Sequence, residues 1–245
     1  SLQRSLSDPT RMHLSDVTLV LATRDEAHNI ASFLQSIPRE IGLIVVDASH
    51  DDTPDLIESL RPANTLVLRE PGTVTQARQR GAELAKTDWL LFSDADVVFA
   101  PDYFERLGRL RGTMVYYGPK LSRDRYRRYY RWIARGQSLC QTFGVPAASG
   151  SNLLLPRSVL AEIGGFDLSL TCNEDSEVVW RAARAGYRVR FLADLIVYAT
   201  DHRRIERGRV RKTLHSAIRC ALLYTDLMPR KLRSMDWGYW ENRDS

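Results

Sequence analysis

The alternation of short apolar runs with amphipathic segments between residues 17 and 96 constrains the fold more than any other feature of the sequence. Four apolar runs predict strands, at residues 17–23, 41–47, 64–70 and 89–96. The segments between them, residues 25–37, 51–60 and 73–86, have helical spacing or helix-start residues. This order predicts βαβ units and therefore an α/β fold with a mostly parallel, twisted sheet flanked by helices.

Acidic side chains lie at the predicted carboxyl ends of three of these strands. Glu26 follows the first strand, Asp47 ends the second, and Asp94 and Asp96 end the fourth. In parallel sheets ligands bind outside the carboxyl ends of the strands. We therefore expect these carboxylates to gather around one crevice.

Asp94 and Asp96 are separated by one residue inside an apolar run. If the segment is extended, both side chains lie on one face. Such hard oxygen ligands suit Mg²⁺ or Mn²⁺ held together with substrate phosphates. The alternative is a pair of solvated aspartates that cap a turn.

Positive charge is concentrated in two segments of the 245-residue chain, whose formal net charge is +5. These segments, residues 123–135 and 203–212, attract anions such as phospholipid headgroups, phosphorylated substrates or nucleic acid. A basic amphipathic helix can lie on an anionic membrane, or it can pack its apolar stripe on the core and leave its basic face in solvent. No apolar run of about 18 residues occurs, so no membrane span is expected. The three cysteines lie far apart and predict free thiols in a reducing compartment.

Five segments, taken in order, resemble the family-2 glycosyltransferases of the GT-A fold. They are "LATRDEAHNI", "IVVDASHDDT", "ARQRGAELAKTDWLLFSDAD", "GSNLLLPRSVLAEIGGFD" and "NEDSEVVWRAARAGYRV". The resemblance covers residues 17–202 and departs from the family at Asp25, where Asn is frequent, and at Asp47–Ala48, where the acids are usually spaced differently. It implies a GT-A-like fold, a nucleotide-diphosphate sugar donor (a UDP- or GDP-sugar), a divalent metal and single-displacement transfer with inversion.

The resemblance also assigns roles to particular residues. Asp94–Ala95–Asp96 matches the family's D-x-D motif, so the implied metal ligands are Asp96, Asp94 and His202. The implied general base is Asp175 or its neighbour Glu174. The implied nucleotide-sugar contacts are Ala22, Thr23, Arg24, Glu26, Asp47, Arg78, Asp94, Ala95, Ser151 and Asn152.

Each of these assignments has a structural alternative. Glu174 and Asp175 could complement the dipole at a helix N-terminus, and His202 could be an ordinary surface or capped residue. Arg24 and Arg78 could form surface ion pairs, and the loop at residues 150–152 could be a strand-entry turn.

Three parts of the chain are expected. Residues 1–15 form a polar arm, residues 16–203 a single catalytic domain, and residues 204–245 a basic, helical C-terminal tail. Within the domain, residues 16–100 are the nucleotide-binding half and residues 101–203 the acceptor-side half. The acceptor is expected to be a hydroxyl of unidentified chemistry, with a lipid or polysaccharide precursor as the candidate. A cytoplasmic location is expected, and contact with the inner face of an anionic membrane is left open.

Three rival interpretations fit the sequence less well. A nucleotidyltransferase would need a Gly-rich N-terminal loop with a phosphate-binding Lys, but "LATRDEAHNI" has neither residue. A nucleic-acid-binding module is supported only by the arginine-rich segments, without a recognised motif, so no nucleic acid is expected as a partner. A non-catalytic relative is disfavoured because both acidic elements are intact.

Overall fold

The protein is described by a computed structural model that covers residues 12–112, 114–202, 218–220 and 222–225. Its strands are β1 (Val17–Thr23), β2 (Gly42–Asp47), β3 (Thr65–Arg69), β4 (Trp89–Ser93), β5 (Val97–Phe99), β6 (Val115–Tyr117), β7 (Lys120–Leu121), β8 (Leu153–Pro156), β9 (Val189–Phe191) and β10 (Val197–Ala199). Its helices are α1 (Ala27–Gln35), α2 (Thr53–Leu60), α3 (Val74–Leu84), α4 (Tyr103–Leu107), α5 (Arg127–Thr142), α6 (Arg157–Glu162) and α7 (Glu174–Arg184).

The main sheet has seven strands in the order β3-β2-β1-β4-β8-β6-β9. Four of its six neighbouring pairs are parallel, namely β3/β2, β2/β1, β1/β4 and β6/β9. Strand β8 runs antiparallel to both β4 and β6. The predicted mixed α/β fold with a mostly parallel sheet is therefore confirmed, and a second sheet, β5-β10-β7, adjoins it.

Alternate side chains of the central strands enter different apolar cores on the two faces of the main sheet. Leu19 and Leu21 of β1 belong to one core, and Val20 belongs to the other. Helix α3 packs directly on β1 at Gly81. A Cβ atom added to Gly81 would lie 2.4 Å from Val20 Cγ1, so the contact leaves no room for a side chain there. Cover on both faces explains why these strands are nearly continuous apolar runs.

Two predicted strands differ from the observed ones. Strand β4 ends at Ser93, and Asp94–Asp96 form a turn before β5, so the two aspartates do not share one face of an extended strand. The predicted strand at residues 189–202 is divided into β9, which ends the main sheet, and β10, which lies in the second sheet.

The predicted terminal segments lie largely outside the described residues. Within the predicted arm, Met12 is buried and Leu14–Asp16 form one 3-10 turn. Only residues 218–220 and 222–225 of the predicted tail are described, and they include the buried Arg219 and Leu223. Across the described ranges, every helix is too short or too polar to cross a bilayer.

Candidate active site

The carboxyl ends of β1 and β2 meet where the sequence predicted a crevice. Thr23 and Asp47 are partners in the parallel register of these strands. Thr23 Oγ1 donates a hydrogen bond of 2.5 Å to Asp47 Oδ2. The Ser49 backbone N–H and hydroxyl also donate to the Asp47 carboxylate. Asp47 is thus a buried carboxylate held in one orientation by donors from the end of β1 and from the loop after β2.

The loop after β1 is tied to the loop after β2 by reciprocal hydrogen bonds. Asp25, which has a positive φ of 53°, donates its N–H to Ser49 Oγ and accepts the N–H of His50. The Glu26 N–H donates to Thr53 Oγ1. Ala22 and Arg24 are partly exposed beside these bonds. These two loops therefore form a fixed rim at the sheet edge.

Arg78 lies at the centre of the acidic cluster. It is carried by α3, whose N-terminus is fixed by a capping box between Thr73 and Gln76. Its guanidinium is only 3% exposed and donates to Asp94 Oδ1 at 2.8 Å and to Glu174 Oε1. Arg78 therefore joins the turn after β4 to the start of α7, and the surface-ion-pair alternative for this residue is wrong.

The loop at residues 149–151 closes over this cluster. Gly150 packs against the Arg78 guanidinium so closely that an added Cβ would lie 2.1 Å from Nη1. The Gly150 N–H donates to Asp175 Oδ2 at 2.5 Å, and Ser151 Oγ donates to Asp94 Oδ2 at 2.5 Å. The small residues of this loop are thus required for close approach to the charged groups.

Burial dominates the protonation equilibria of the cluster. It raises the pKa of Glu174 to about 7, although the Arg78 charge opposes the shift. Burial also raises the pKa of Asp175, again against Arg78 and the donating N–H of Gly150. Burial lowers the pKa of Arg78, but the charges of Glu174, Asp94 and Asp175 outweigh it and leave that pKa raised. The cluster holds three carboxylates against one guanidinium, so proton uptake near neutral pH is expected there.

Asp96 has different surroundings from Asp94. Its Oδ1 accepts a hydrogen bond of 2.9 Å from Lys120 Nζ, and its backbone carbonyl accepts the Thr200 N–H. No other side chain among the described residues is recorded as hydrogen-bonded to the Asp96 carboxylate. The two oxygens of Asp96 therefore differ, because Oδ2 accepts no side-chain hydrogen bond from the described residues.

His202 is buried in a cluster beside this site. Its Nε2 lies 2.9 Å from Asp124 Oδ1, and its Nδ1 lies 3.4 Å from the Tyr130 hydroxyl. Burial raises the pKa of Tyr130, and the charges of Asp96 and Asp124 raise it further. Both His202 ring nitrogens are thus engaged, so the alternative of an ordinary surface residue is wrong.

The three predicted metal ligands differ in how protein groups engage them. Within the described ranges, no group of three or more His, Cys, Asp or Glu side chains is arranged to hold a metal ion. Asp94 is engaged by Arg78 and Ser151, and His202 by Asp124. Mg²⁺ is commonly held through one or two carboxylates and substrate phosphates, and Asp96 fits that mode.

The remaining predicted residues have structural duties as well. Asn152 accepts from the Tyr103 hydroxyl at 2.6 Å and donates to the Leu195 carbonyl at 2.6 Å. Ala95 is buried in the turn after β4. Asn152 therefore braces the floor of the site, with its oxygen and its nitrogen both engaged by protein groups.

Sequence reasoning missed Lys120 and Asp124 as neighbours of the predicted site. Lys120 follows a Gly-Pro pair in a two-residue strand, and nothing in its local pattern marks it. Asp124 lies within the arginine-rich segment at residues 123–135, where its local pattern does not mark it either. Both approach the site through tertiary contacts that local spacing does not encode.

The sequence matches the profile of a family described as "Glycosyltransferase like family 2" over residues 16–219. Among curated proteins, it is similar to the pre-mycofactocin glycosyltransferase of two strains of Mycobacterium tuberculosis. The identity is 27% over 209 residues, which is 77% of this chain and 43% of the relative. The chain thus spans less than half the length of these relatives.

Solved structures of glycosyltransferases share the fold. The mannosyltransferase PcManGT from Pyrobaculum calidifontis, in complex with GDP-Man and Mn²⁺, has a TM-score of 0.64 and 21% identity, over 86% of this chain and 69% of that one. S. aureus TarS 1–349 in complex with UDP-GlcNAc has a TM-score of 0.58 and 16% identity, over 87% of this chain and 72% of that one. At these identities the likeness establishes the fold alone.

Proposed function

The chain belongs to the glycosyltransferase-like family 2, and on that premise we propose that it moves a sugar from a nucleotide-diphosphate sugar to an acceptor hydroxyl with inversion. One observation carries the proposal: Arg78 joins the donor-side Asp94 and the acceptor-side Glu174 in one buried cluster, with Asp175 beside them. An inverting transfer needs a leaving diphosphate on one side of the sugar and a base on the other. The cluster connects elements suited to those two tasks.

The donor is proposed to lie against the rim formed by the loops after β1 and β2. Two structural neighbours carry GDP-Man and UDP-GlcNAc in their complexes, which supports a UDP- or GDP-sugar for this chain. Residues proposed to line the donor are Ala22, Thr23, Arg24, Glu26, Asp47, Arg78, Asp94, Ala95, Ser151 and Asn152. Arg78 would act through Asp94, because its own guanidinium is enclosed by protein.

Asp175 is the better candidate for the general base. Glu174 is committed to Arg78, whereas Asp175 accepts hydrogen bonds from the N–H groups of Gly150 and Ser176. Its raised pKa places it closer to the operating pH, where a base is most effective. In the proposed step the acceptor oxygen bonds to the anomeric carbon, its proton passes to Asp175, and the nucleoside diphosphate leaves with the electrons of the broken bond.

Asp96 is the residue proposed to hold Mg²⁺ or Mn²⁺, and a bound ion would supply Lewis-acid neutralisation of the diphosphate. A neighbour's complex contains Mn²⁺, which supports this cofactor class. Lys120 holds a second positive charge at the same carboxylate. Participation of Asp94 and His202 stays a prediction, since protein groups engage both in the described structure.

The decisive experiment is the substitution Asp175→Asn. We expect donor binding, measured as a thermal shift on adding nucleotide sugars with Mn²⁺, to be retained. Transfer should fall by at least about 10²-fold, the usual contribution of a general base. Glu177→Gln is the matched control, because Glu177 is also an acid in the first turn of α7 and pairs with Arg181.

The two variants separate catalysis from support of the helix dipole. A dipole role predicts small and similar effects for Asp175→Asn and Glu177→Gln. Normal transfer by Asp175→Asn would exclude Asp175 as the base, and a Glu174→Gln variant would then test its neighbour. A donor screen without any thermal shift would contradict the proposed activity itself.

A further inference from the structure

Helix α5 carries an unusual combination of exposed side chains. Trp132 and Leu139 are 62% and 59% exposed, and Phe143, directly after the helix, is 76% exposed. Trp132 and Leu139 are seven residues apart, just under two turns, so they lie on one side of the helix. Tyr130 and Gln137, about half a turn away from them, are buried. The helix therefore presents an apolar stripe to solvent instead of burying it.

The same helix is strongly basic. It contains Arg127, Arg128, Arg131 and Arg135, all exposed, and no acidic residue. At 3.6 residues per turn, Arg128 and Arg135 lie on the border of the apolar stripe. The surface defined by these four arginines with Trp132, Leu139 and Phe143 is called the α5 face below.

We propose that the α5 face binds the surface of an anionic phospholipid membrane. Helices that lie in a membrane interface combine Trp, Phe or Leu on one side with Lys or Arg on the other. The arginines would pair with lipid phosphates while the apolar stripe enters the boundary between headgroups and acyl chains. Proteins that bind single-stranded nucleic acid contact it through basic groups and stacked aromatic rings. An aliphatic residue such as Leu139 in the stripe therefore favours contact with hydrocarbon.

The position of α5 connects this surface to the candidate active site. On its buried side, Tyr130 approaches His202, and Gln137 donates to the Ala147 carbonyl in the segment that leads to Gly150. A membrane bound to the exposed side of the helix would thus lie about one helix diameter, roughly 10 Å, from this acceptor-side segment. The inference deepens the proposed function by making a membrane-borne hydroxyl the acceptor class, and that part rests on the proposed function.

The test is co-sedimentation of the full chain with vesicles, without donor or acceptor. We expect binding to phosphatidylcholine vesicles that contain phosphatidylglycerol, and little binding to phosphatidylcholine alone. Added salt should weaken the binding, because screening acts on exposed charges. Each arginine removed should weaken it about fivefold.

Two variants and two matched controls define the surface. Trp132→Ser/Leu139→Ser/Phe143→Ser removes the stripe, and its control, Leu60→Ser/Leu66→Ser/Leu168→Ser, removes three other exposed leucines. Changing Arg127, Arg128, Arg131 and Arg135 to Gln removes the charge, and its control changes four other exposed basic residues, Arg39, Lys86, Arg109 and Arg184, to Gln. Both α5 variants should lose vesicle binding, and both controls should keep it. Circular dichroism and the donor-induced thermal shift should be unchanged in all four.

Three results would overturn the proposal. Equal binding of the wild type to phosphatidylcholine alone would remove the role of charge, and vesicle binding by the triple α5 variant would place the membrane contact elsewhere in the chain. A wild-type dimer that the triple variant dissociates in light scattering would assign the α5 face to a second copy. Because none of these measurements needs transfer activity, they fail independently of the proposed function.

Discussion

The surroundings of Asp94 and Asp96 differ although one residue separates them. Asp94 is held by Arg78 and Ser151, one donor to each carboxylate oxygen. Asp96 accepts one side-chain hydrogen bond, from Lys120, among the residues described. The two carboxylates of a D-x-D sequence can therefore differ in how many of the protein's own donors engage them.

The largest effect on stability should come from removing the Arg78 guanidinium, which pairs with Asp94 and Glu174. Arg78→Met leaves the buried Glu174 and the partly buried Asp94 without their partner, and breaking a buried pair costs about 3–5 kcal/mol. We expect the free energy of unfolding in urea to fall by that amount. Arg80→Met on the same helix removes an exposed pair with Glu70 and should cost at most about 1 kcal/mol. Equal losses in the two variants would contradict the buried network.

The pH dependence of stability should come mainly from Glu174, which shares the Arg78 guanidinium with Asp94. The pKa of Glu174 is about 7 in the folded protein and 4.5 without the fold. The folded state therefore retains the proton longer, and stability falls as pH rises between these values, by about 3 kcal/mol. Glu174 faces Arg78, Asp175 and Asp94, and Asp175 shifts in the same direction.

Glu174→Gln isolates this titration from the rest of the molecule. Urea unfolding at pH 5 and pH 8 should show a smaller loss of stability in the variant than in the wild type. Glu177→Gln, which changes a partly exposed acid of the same helix, should keep the wild-type slope. A variant slope equal to that of the wild type would mean that Glu174 titrates normally.

Asp96→Asn should act on ligand binding more than on folding. If Asp96 holds the ion as proposed, its removal should weaken Mn²⁺ binding in the presence of a nucleotide diphosphate at least tenfold, because even the residues that support metal ligands matter by about 10–100-fold. Asp94→Asn should instead lower the stability of the fold. Isothermal titration with Mn²⁺, paired with urea unfolding, measures both quantities. If the two variants exchange these effects, the assignment of the aspartates is reversed.

The smallest expected effect is that of Lys120→Met. The ammonium group competes with a cation for Asp96, so its removal should tighten the binding of Mn²⁺ alone by about fivefold, or about 1 kcal/mol. Lys86→Met, an exposed substitution elsewhere, should leave the affinity unchanged. Weaker Mn²⁺ binding in Lys120→Met would show that the lysine supports the ion instead of opposing it.

The sequence predicted the parts of this site that depend on local pattern. Apolar periodicity located the parallel strands, and the acids at their carboxyl ends were correctly expected at one edge of the sheet. The periodicity did not predict that Asp94–Asp96 form a turn, because a D-x-D spacing is compatible with an extended strand and with a turn.

Contacts between distant residues could not be predicted in this way. Arg78 and Glu174 are 96 positions apart, and His202 and Asp124 are 78 apart. Whether Arg78 faces a nucleotide or two carboxylates depends on how α7 docks against α3, which helical periodicity leaves open. The bracing role of Asn152 likewise depends on Tyr103 and Leu195, each more than 40 positions away.

The adjacent residues Gly150 and Ser151 donate hydrogen bonds to two different carboxylates, those of Asp175 and Asp94. The Gly150 N–H and the Ser151 hydroxyl thus link Asp175 and Asp94 through two consecutive residues. A ligand that displaces Asp94 should therefore also displace Asp175, the proposed general base. Under the proposed function, we expect the binding of donor and acceptor to be coupled through this link. Each substrate should then change the other's dissociation constant by the same factor, as linkage requires.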